Sequence, residues 1–390
     1  MRVERWIEAA LDGEYGEGLR IASRMLVAIG EAFEADRLIP VRSCHISGVS
    51  YRTIGEPGLR FLEDLASSGV KARVKATMNP AGMDMSKWAE MGVPENFAQK
   101  QFKIVKALES MGIEPTLTCT PYLAGNSPDV GSHLAWAESS AVIYVNSVLG
   151  AMTNRESGPS ALASALTGLT PRFGMHVNEC RRPTHLVEVE GNIEGALMFS
   201  ALGYLVGREV GRGVPSIPSV RGASGDELKA LSAGLGTSGG VSMFTYKTQR
   251  GLPRIKVHTR ELLNIIEKLS TGSGGVVCLG CPHLSLAEVR YVLELLKGRR
   301  VRGTLWLFTS RAVYRRASSK GLVQALERLG VRVFKDTCMV VAPLEDMGVK
   351  SIVTDSCKAA HYVKLITGGR VQVSLMSREE CIKEAIEREA

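Results

Sequence analysis

Eight cysteines pose the chemical question in this 390-residue chain: Cys44, Cys119, Cys180, Cys278, Cys281, Cys338, Cys357 and Cys381. A cysteine thiolate serves as nucleophile, redox centre or soft metal ligand. A free cysteine that is merely buried is also common, so context has to sort them. Cys278 and Cys281 form a C-x-x-C pair, which alone suggests a redox couple or half of a zinc site. No second C-x-x-C accompanies it. Residues three apart in a strand also face opposite sides unless the chain turns, here at Gly280. Cys119, Cys281 and Cys338 differ from the rest. Each closes an apolar or extended run, TLTC, VVCLGC and FKDTC, just before a turn. In parallel α/β sheets, ligands bind beyond the carboxyl ends of the strands. Three thiolates on three strand ends can therefore meet in one cleft. Cys278 lies inside its apolar run and reads as core. Cys44 lies in a strand exit beside His45, Cys180 and Cys381 in polar helix- or loop-like settings, and Cys357 beside Lys358 at a strand-to-helix turn.

The elements that must position these residues alternate strand and helix. In the last third, runs 276–280, 303–310, 331–341, 351–356 and 370–376 read as strands. Helices are expected at 285–297, 312–330 and 358–368, and a short amphipathic helix in the tail 377–390. Ser285 with Glu288 three residues on is a capping box. The first third follows the same order, with strands at 38–47, 70–80 and 114–123 and helices at 57–69 and 96–112. The middle is less regular: 141–150 reads as strand, 160–168 as helix, 205–219 as a linker or loop crossing, and 228–244 as a small helix with a glycine-rich turn. Alternation of this kind predicts an α/β fold of parallel sheets covered on both faces. The expected domains are 1–135, 136–260 and 261–390.

Hydrophobic residues make up 45% and charged residues 23% of the chain, an ordinary globular profile. No apolar run approaches the roughly 20 residues of a membrane span. The N-terminus lacks the features of a signal peptide, so the expectation is a cytoplasmic protein with no membrane partner. A disulfide framework is not expected in that compartment. The formal net charge is +8, which suits either a solvated basic surface or an anionic partner. The basic residues are scattered, with denser groups only at 297–300 and 311–316. There is no zinc-finger spacing and no aromatic RNA-binding run, so no nucleic-acid partner is expected.

Long blocks in order carry a resemblance over nearly the whole chain: HISGVSYRTIG (45–55), MNPAGMD (78–84), TCTPYL (118–123), AESSAVIYVNSVLGAMTNRESGPSAL (137–162), LGCPHLS (279–285), DTCMVVAPL (336–344) and TDSCKAAHY (354–362). At these residues the chain resembles the aconitase X family. The resemblance implies an aconitase-like fold of three packed α/β/α domains around a central iron–sulfur cluster, lacking the swivelling domain. It implies a [4Fe-4S] cofactor held by Cys119, Cys281 and Cys338. Cys357 stands where the family usually has a small residue.

The implied activity is a hydro-lyase acting on (R)-5-phosphomevalonate to give trans-anhydromevalonate 5-phosphate, with cis-3-hydroxy-L-proline as the runner-up substrate. The superfamily uses a serine base on the swivelling domain. The resemblance therefore implies that no catalytic base lies in this chain and that a small partner subunit supplies it. For the substrate, the candidates are the turn Ser47–Gly48–Val49–Ser50 and Asn79, with Asn154 and Arg155 as an oxyanion clamp. Glu138 and Lys358 join them, Lys358 to neutralise a phosphate or only to serve a helix end. His45 and His283 are candidates for orienting neighbours. The rival readings are a zinc or redox protein built on the C-x-x-C, and a basic nucleic-acid-binding protein.

Overall fold

In the computed structural model, which describes residues 1–387, the apolar runs of the last third become one five-stranded parallel sheet. Its order is Arg332–Lys335, Leu305–Thr309, Val276–Leu284, Ser351–Thr354, Gln372–Leu375. Successive side chains of a strand face opposite ways. Leu305 and Leu307 thus enter a core with Val289, Val313 and Ile382, under the helices Leu286–Leu296, Arg311–Ser319 and Arg378–Glu387. Trp306 and Phe308 enter the opposite core with Phe334, Val363 and Leu202. That second core continues into the middle of the chain, so the two units share it.

The first unit holds a parallel sheet in the order Lys75–Met78, Ser43–Ile46, Leu134–Trp136, and an antiparallel pair, Leu38–Pro40 with Leu169–Pro171. The middle unit holds a parallel sheet ordered Pro215–Ser216, His185–Glu190, Arg254–His258. Its helices Gly195–Val210 and Gly225–Ser238 approach backbone to backbone. A Cβ on Gly203 would stand 2.2 Å from the Leu231 carbonyl oxygen, which is where the chain's high glycine content acts. Among the described residues no helix is long and apolar enough to cross a membrane.

Several expected elements change. The run 141–150 forms the helix Ser139–Tyr144 and a wider turn, Val145–Leu149, that ends at left-handed Gly150. Its β-branched residues suggested a strand, but Glu138 caps a helix there and tertiary context overrides a weak propensity. The run 38–47 divides into two strands belonging to different sheets. Residues 114–120 join no sheet, Glu114 alone bridging to Thr77, and Pro121–Leu123 forms a 3-10 turn rather than strand. Residues 205–210 complete a helix rather than a linker. The helix expected over 312–330 breaks at Gly321, whose φ is +72°.

Candidate functional site

The carboxyl edges of the first and third parallel sheets face each other, and the chemistry-bearing residues gather there. The edges are joined by the Ala81 amide donating to the Asp336 carbonyl at 2.8 Å and by the Ser50 hydroxyl donating to the Val341 carbonyl at 2.8 Å. Cys338 lies three residues past the Arg332–Lys335 strand. Cys281 lies within the Val276–Leu284 strand rather than at its end, and Cys119 sits on the segment 114–120, which joins no sheet. The strand-end expectation is thus corrected for Cys119 and Cys281. Register shifts beside Cys281, between partner residues Leu307 and Thr309. At that shift Gly280 has a φ of +120°, and its Cβ position lies 2.2 Å from the Phe308 carbonyl oxygen, so only glycine fits. This irregularity puts Cys278 and Cys281 in the same core.

Cys119, Cys281 and Cys338 are buried, at 6%, 9% and 5% exposure, and they lie close enough for charge on Cys281 to act on Cys119, and for charge on both to act on Cys338. Burial pushes Cys119 up to about 12 and Cys281 up to about 11, and it pushes Cys338 well up, with the other two thiols adding to the rise. The Lys358 ammonium works the other way on Cys119 and Cys281. Three thiols kept neutral by burial, beside one held cation, suit a group that takes them as thiolates and releases their protons. The buried Thr337 hydroxyl next to Cys338 has no hydrogen-bond partner among the described residues.

His283 ties the three cysteine segments together. Its backbone amide donates to the Cys119 sulfur at 3.2 Å. Its Nε2 lies 2.8 Å from the Thr337 carbonyl and its Nδ1 3.0 Å from the Thr118 hydroxyl. A carbonyl only accepts, so Nε2 carries the proton and Nδ1 receives the Thr118 hydroxyl. Burial lowers this imidazole to about 4, which keeps it neutral. The same logic fixes a longer relay. Asn126 Nδ2 donates to Thr77 Oγ1 at 3.0 Å, Thr77 to His45 Nδ1 at 2.8 Å, His45 Nε2 to Asn79 Oδ1 at 3.1 Å, and Asn79 Nδ2 to Glu138 at 2.8 Å. All four donors point towards Glu138, which also accepts the Ser140 hydroxyl at 3.0 Å and forms an ion pair with Lys358. Burial alone would raise the Glu138 carboxyl; Lys358 and these donors hold it down at about 2. Lys358 occupies the first turn of the Cys357–Ile366 helix, where the macrodipole disfavours a cation, and Glu138 offsets that.

The remaining candidates divide. Ser47 and Gly48 are half-buried, and Gly158 packs under them so closely that a Cβ would stand 2.5 Å from the Ser47 carbonyl oxygen. Ser50 caps the helix that follows, and the Val49 carbonyl is held by Gln101 at 2.9 Å. Asn154 instead holds the Phe173 carbonyl and the Met175 amide. Arg155 directs both terminal nitrogens to the carbonyls of Gly236, Gly239 and Val241. The expected oxyanion clamp is therefore a brace on the end of the Gly225–Ser238 helix.

A second ionic group was not foreseen from the sequence. Lys229 pairs with Glu288, with Asp226 at 3.1 Å and with the His283 carbonyl at 3.1 Å. Arg378 joins Glu288 at 3.0 Å to Asp355 at 2.7 Å. The available signal was a lysine inside the otherwise small and apolar run LKALSAGLG. Cys357 is fully buried, with its amide on the Ser200 hydroxyl at 3.0 Å. Cys44, Cys278 and Cys381 are also buried, and Cys180 is exposed. Among the described residues no three His, Cys, Asp or Glu side chains could hold a metal ion, and Cys278 lies wholly in the core, so the zinc and redox readings gain no support here. Thiolates of a polynuclear cluster bind different irons and stand farther apart than the ligands of one ion.

Three family profiles match in sequence order: Aconitase X first domain over residues 1–179, second domain over 183–263 and third domain over 274–387. The phosphomevalonate dehydratase large subunit of Methanocaldococcus jannaschii is 45% identical, covering 91% of this chain and 93% of that protein. The cis-3-hydroxy-L-proline dehydratase of Pseudomonas aeruginosa is 33% identical over 99% of this chain but 70% of its own length. Aconitase X of Thermococcus kodakaraensis, solved as a holo-form, superposes with a TM-score of 0.92 at 37% identity, over 99% of this chain and 100% of that one.

Proposed function

This chain belongs to the aconitase X family, and on that premise we propose that it is the large subunit of a hydro-lyase converting (R)-5-phosphomevalonate to trans-anhydromevalonate 5-phosphate. The observation that carries the reading is the meeting of three buried thiols from separate segments beside the Glu138–Lys358 pair. The relatives named as phosphomevalonate dehydratase large subunits support the substrate.

Cys119, Cys281 and Cys338 would hold a [4Fe-4S] cluster, and three thiolates for four irons leave one iron to serve as Lewis acid towards the substrate hydroxyl. The chain's own residues do the rest. His283 fixes the spacing of the ligand segments. Lys358 offsets the negative charge of the thiolates, and Glu138 with its relay keeps Lys358 protonated and in place. The Ser47 hydroxyl has no partner among the described residues, and with the Gly48 backbone and the Asn79 amide it offers donors for a carboxylate on which charge grows as the adjacent C–H loses its proton. That proton goes to a serine of a small partner subunit, which also excludes water from the cleft.

The test is an anaerobic assay of the chain with and without its small partner, on 5-phosphomevalonate and on cis-3-hydroxy-L-proline, with products identified by mass spectrometry. The reading expects dehydration of phosphomevalonate, and only with the partner present. Turnover of hydroxyproline in preference, or full activity of the chain alone, contradicts it.

A further inference from the structure

The donor relay that ends on Glu138 begins at Asn126, and Asn126 lines a separate cavity of about 540 Å³. This cavity lies at the amino edge of the first unit's parallel sheet, across the sheet from the cysteines. Arg42, Arg73 and Lys75 line it against a single carboxylate, Asp129. None of the three cations has an acidic partner among the described residues. Lys75 contacts only the Gly125 carbonyl at 2.5 Å, and the Arg73 guanidinium rests 4.7 Å from the centre of the Trp6 ring. Lys75 sits directly across the sheet from Ser43. The Ser43 hydroxyl, buried in the wall, accepts from the Trp136 indole at 3.3 Å and keeps its own proton to donate. Three uncompensated cations and a hydroxyl donor around one concavity form a receptor for a compact, multiply charged anion, while Asn126 in the wall commits its Nδ2 to the Cys44 carbonyl at 3.3 Å and to Thr77 at 3.0 Å. Guanidinium and ammonium groups bind phosphate oxygens through charge-assisted hydrogen bonds. A basic patch limited to three cations suits a small molecule better than a polymer, which needs a continuous basic stripe.

We propose that this cavity is a second anion site, taking phosphate or a small phosphate monoester, and that its occupancy is felt along the relay at His45. The proposal does not rest on the dehydratase reading, because it invokes neither the cysteines nor the reaction.

Titration calorimetry with inorganic phosphate and with glycerol phosphate, against chloride at matched ionic strength, separates a free-phosphate site from a monoester site. The variants are Arg73→Ala with Lys75→Glu, both exposed positions that leave the core intact, and Arg250→Ala with Lys247→Glu, equally exposed basic positions outside the cavity, as the control. Saturable binding is expected in the wild type and the control, weakened by roughly tenfold or more in the Arg73→Ala, Lys75→Glu variant through loss of charge-assisted bonds. The His45 ring nitrogen resonances are expected to move with phosphate in the wild type and to stay fixed in the Arg73→Ala, Lys75→Glu variant. Binding no stronger than chloride, equal affinity in the Arg73→Ala, Lys75→Glu variant, loss of binding in the Arg250→Ala, Lys247→Glu control, or an unmoved His45 each overturns the proposal. So does tighter binding of an oligonucleotide than of either phosphate.

Discussion

Two buried ionic groups flank the cysteine cleft, and they are built differently. On one side Lys229, Glu288, Arg378, Asp355 and Asp226 close on one another, each charge meeting an opposite one. On the other side Glu138 and Lys358 form a single pair, fed on the Glu138 side by a one-way chain of donors and facing two of the thiols on the Lys358 side. The closed group locks the middle unit to the third. The open pair has a cation turned towards groups that change charge. Burial of charge is common to both, so burial alone does not mark the chemical site. What marks it is a charge whose partners are incomplete until something else binds.

The largest expected effect tests the closed group. Lys229→Met leaves buried carboxylates short of a cation, and breaking a buried pair in this way costs about 3–5 kcal/mol. Denaturant unfolding should show that loss, with iron per folded chain unchanged. Next comes the open pair. Lys358→Met should lower kcat/KM by about 10²–10³-fold, the usual cost of removing one electrostatic stabiliser. If activity per folded chain survives, the two groups are both scaffold and the contrast fails.

Acidification separates the sides less sharply. Burial lowers His45 and His283 from 6.5 to about 4. The folded chain therefore holds them neutral while the unfolded chain takes up their protons. Their stabilisation is complete above pH 6.5 and is lost as pH falls towards 4, on the order of 3 kcal/mol per ring. Unfolding midpoints between pH 7 and 4 check this, and His45→Asn should flatten the fall. The smallest effect belongs to Arg155→Lys, which gives up a planar fork on three carbonyls for about 1–2 kcal/mol of stability, with the substrate KM unchanged. A raised KM would return Arg155 to the substrate.

Much of this arrangement was legible in the sequence, for identifiable reasons. The five-stranded sheet could be read because its strands are short apolar runs separated by capped helices, such as the Ser285–Glu288 box. The grouping of Cys119, Cys281 and Cys338 was expected from strand ends and from the family blocks, but the strand-end context holds for Cys338 and not for Cys119 or Cys281. The helix at Ser139–Tyr144 could not, since its apolar residues do not reveal that Glu138 both caps it and pairs with Lys358, over two hundred residues away in sequence. Asn154 and Arg155 misled for the same reason. Polar residues in a glycine-rich block look available, and only the fold shows the carbonyls that occupy them. The Lys229 group was missed because its members come from four separate segments, three of ordinary helical pattern and one, Asp355, at a strand exit.

The most direct test of the account is iron and labile sulfide content, with absorption spectra, on anaerobically prepared wild type and on Cys119→Ala, Cys281→Ala and Cys338→Ala, with Cys278→Ala as the control. The account expects iron and sulfide in near-equal amounts in the wild type and the control, and their loss in each of the three variants. A chain that takes up no iron on reconstitution, or variants that keep it, would contradict the assignment of these three thiols as the ligands around which the rest of the site is arranged.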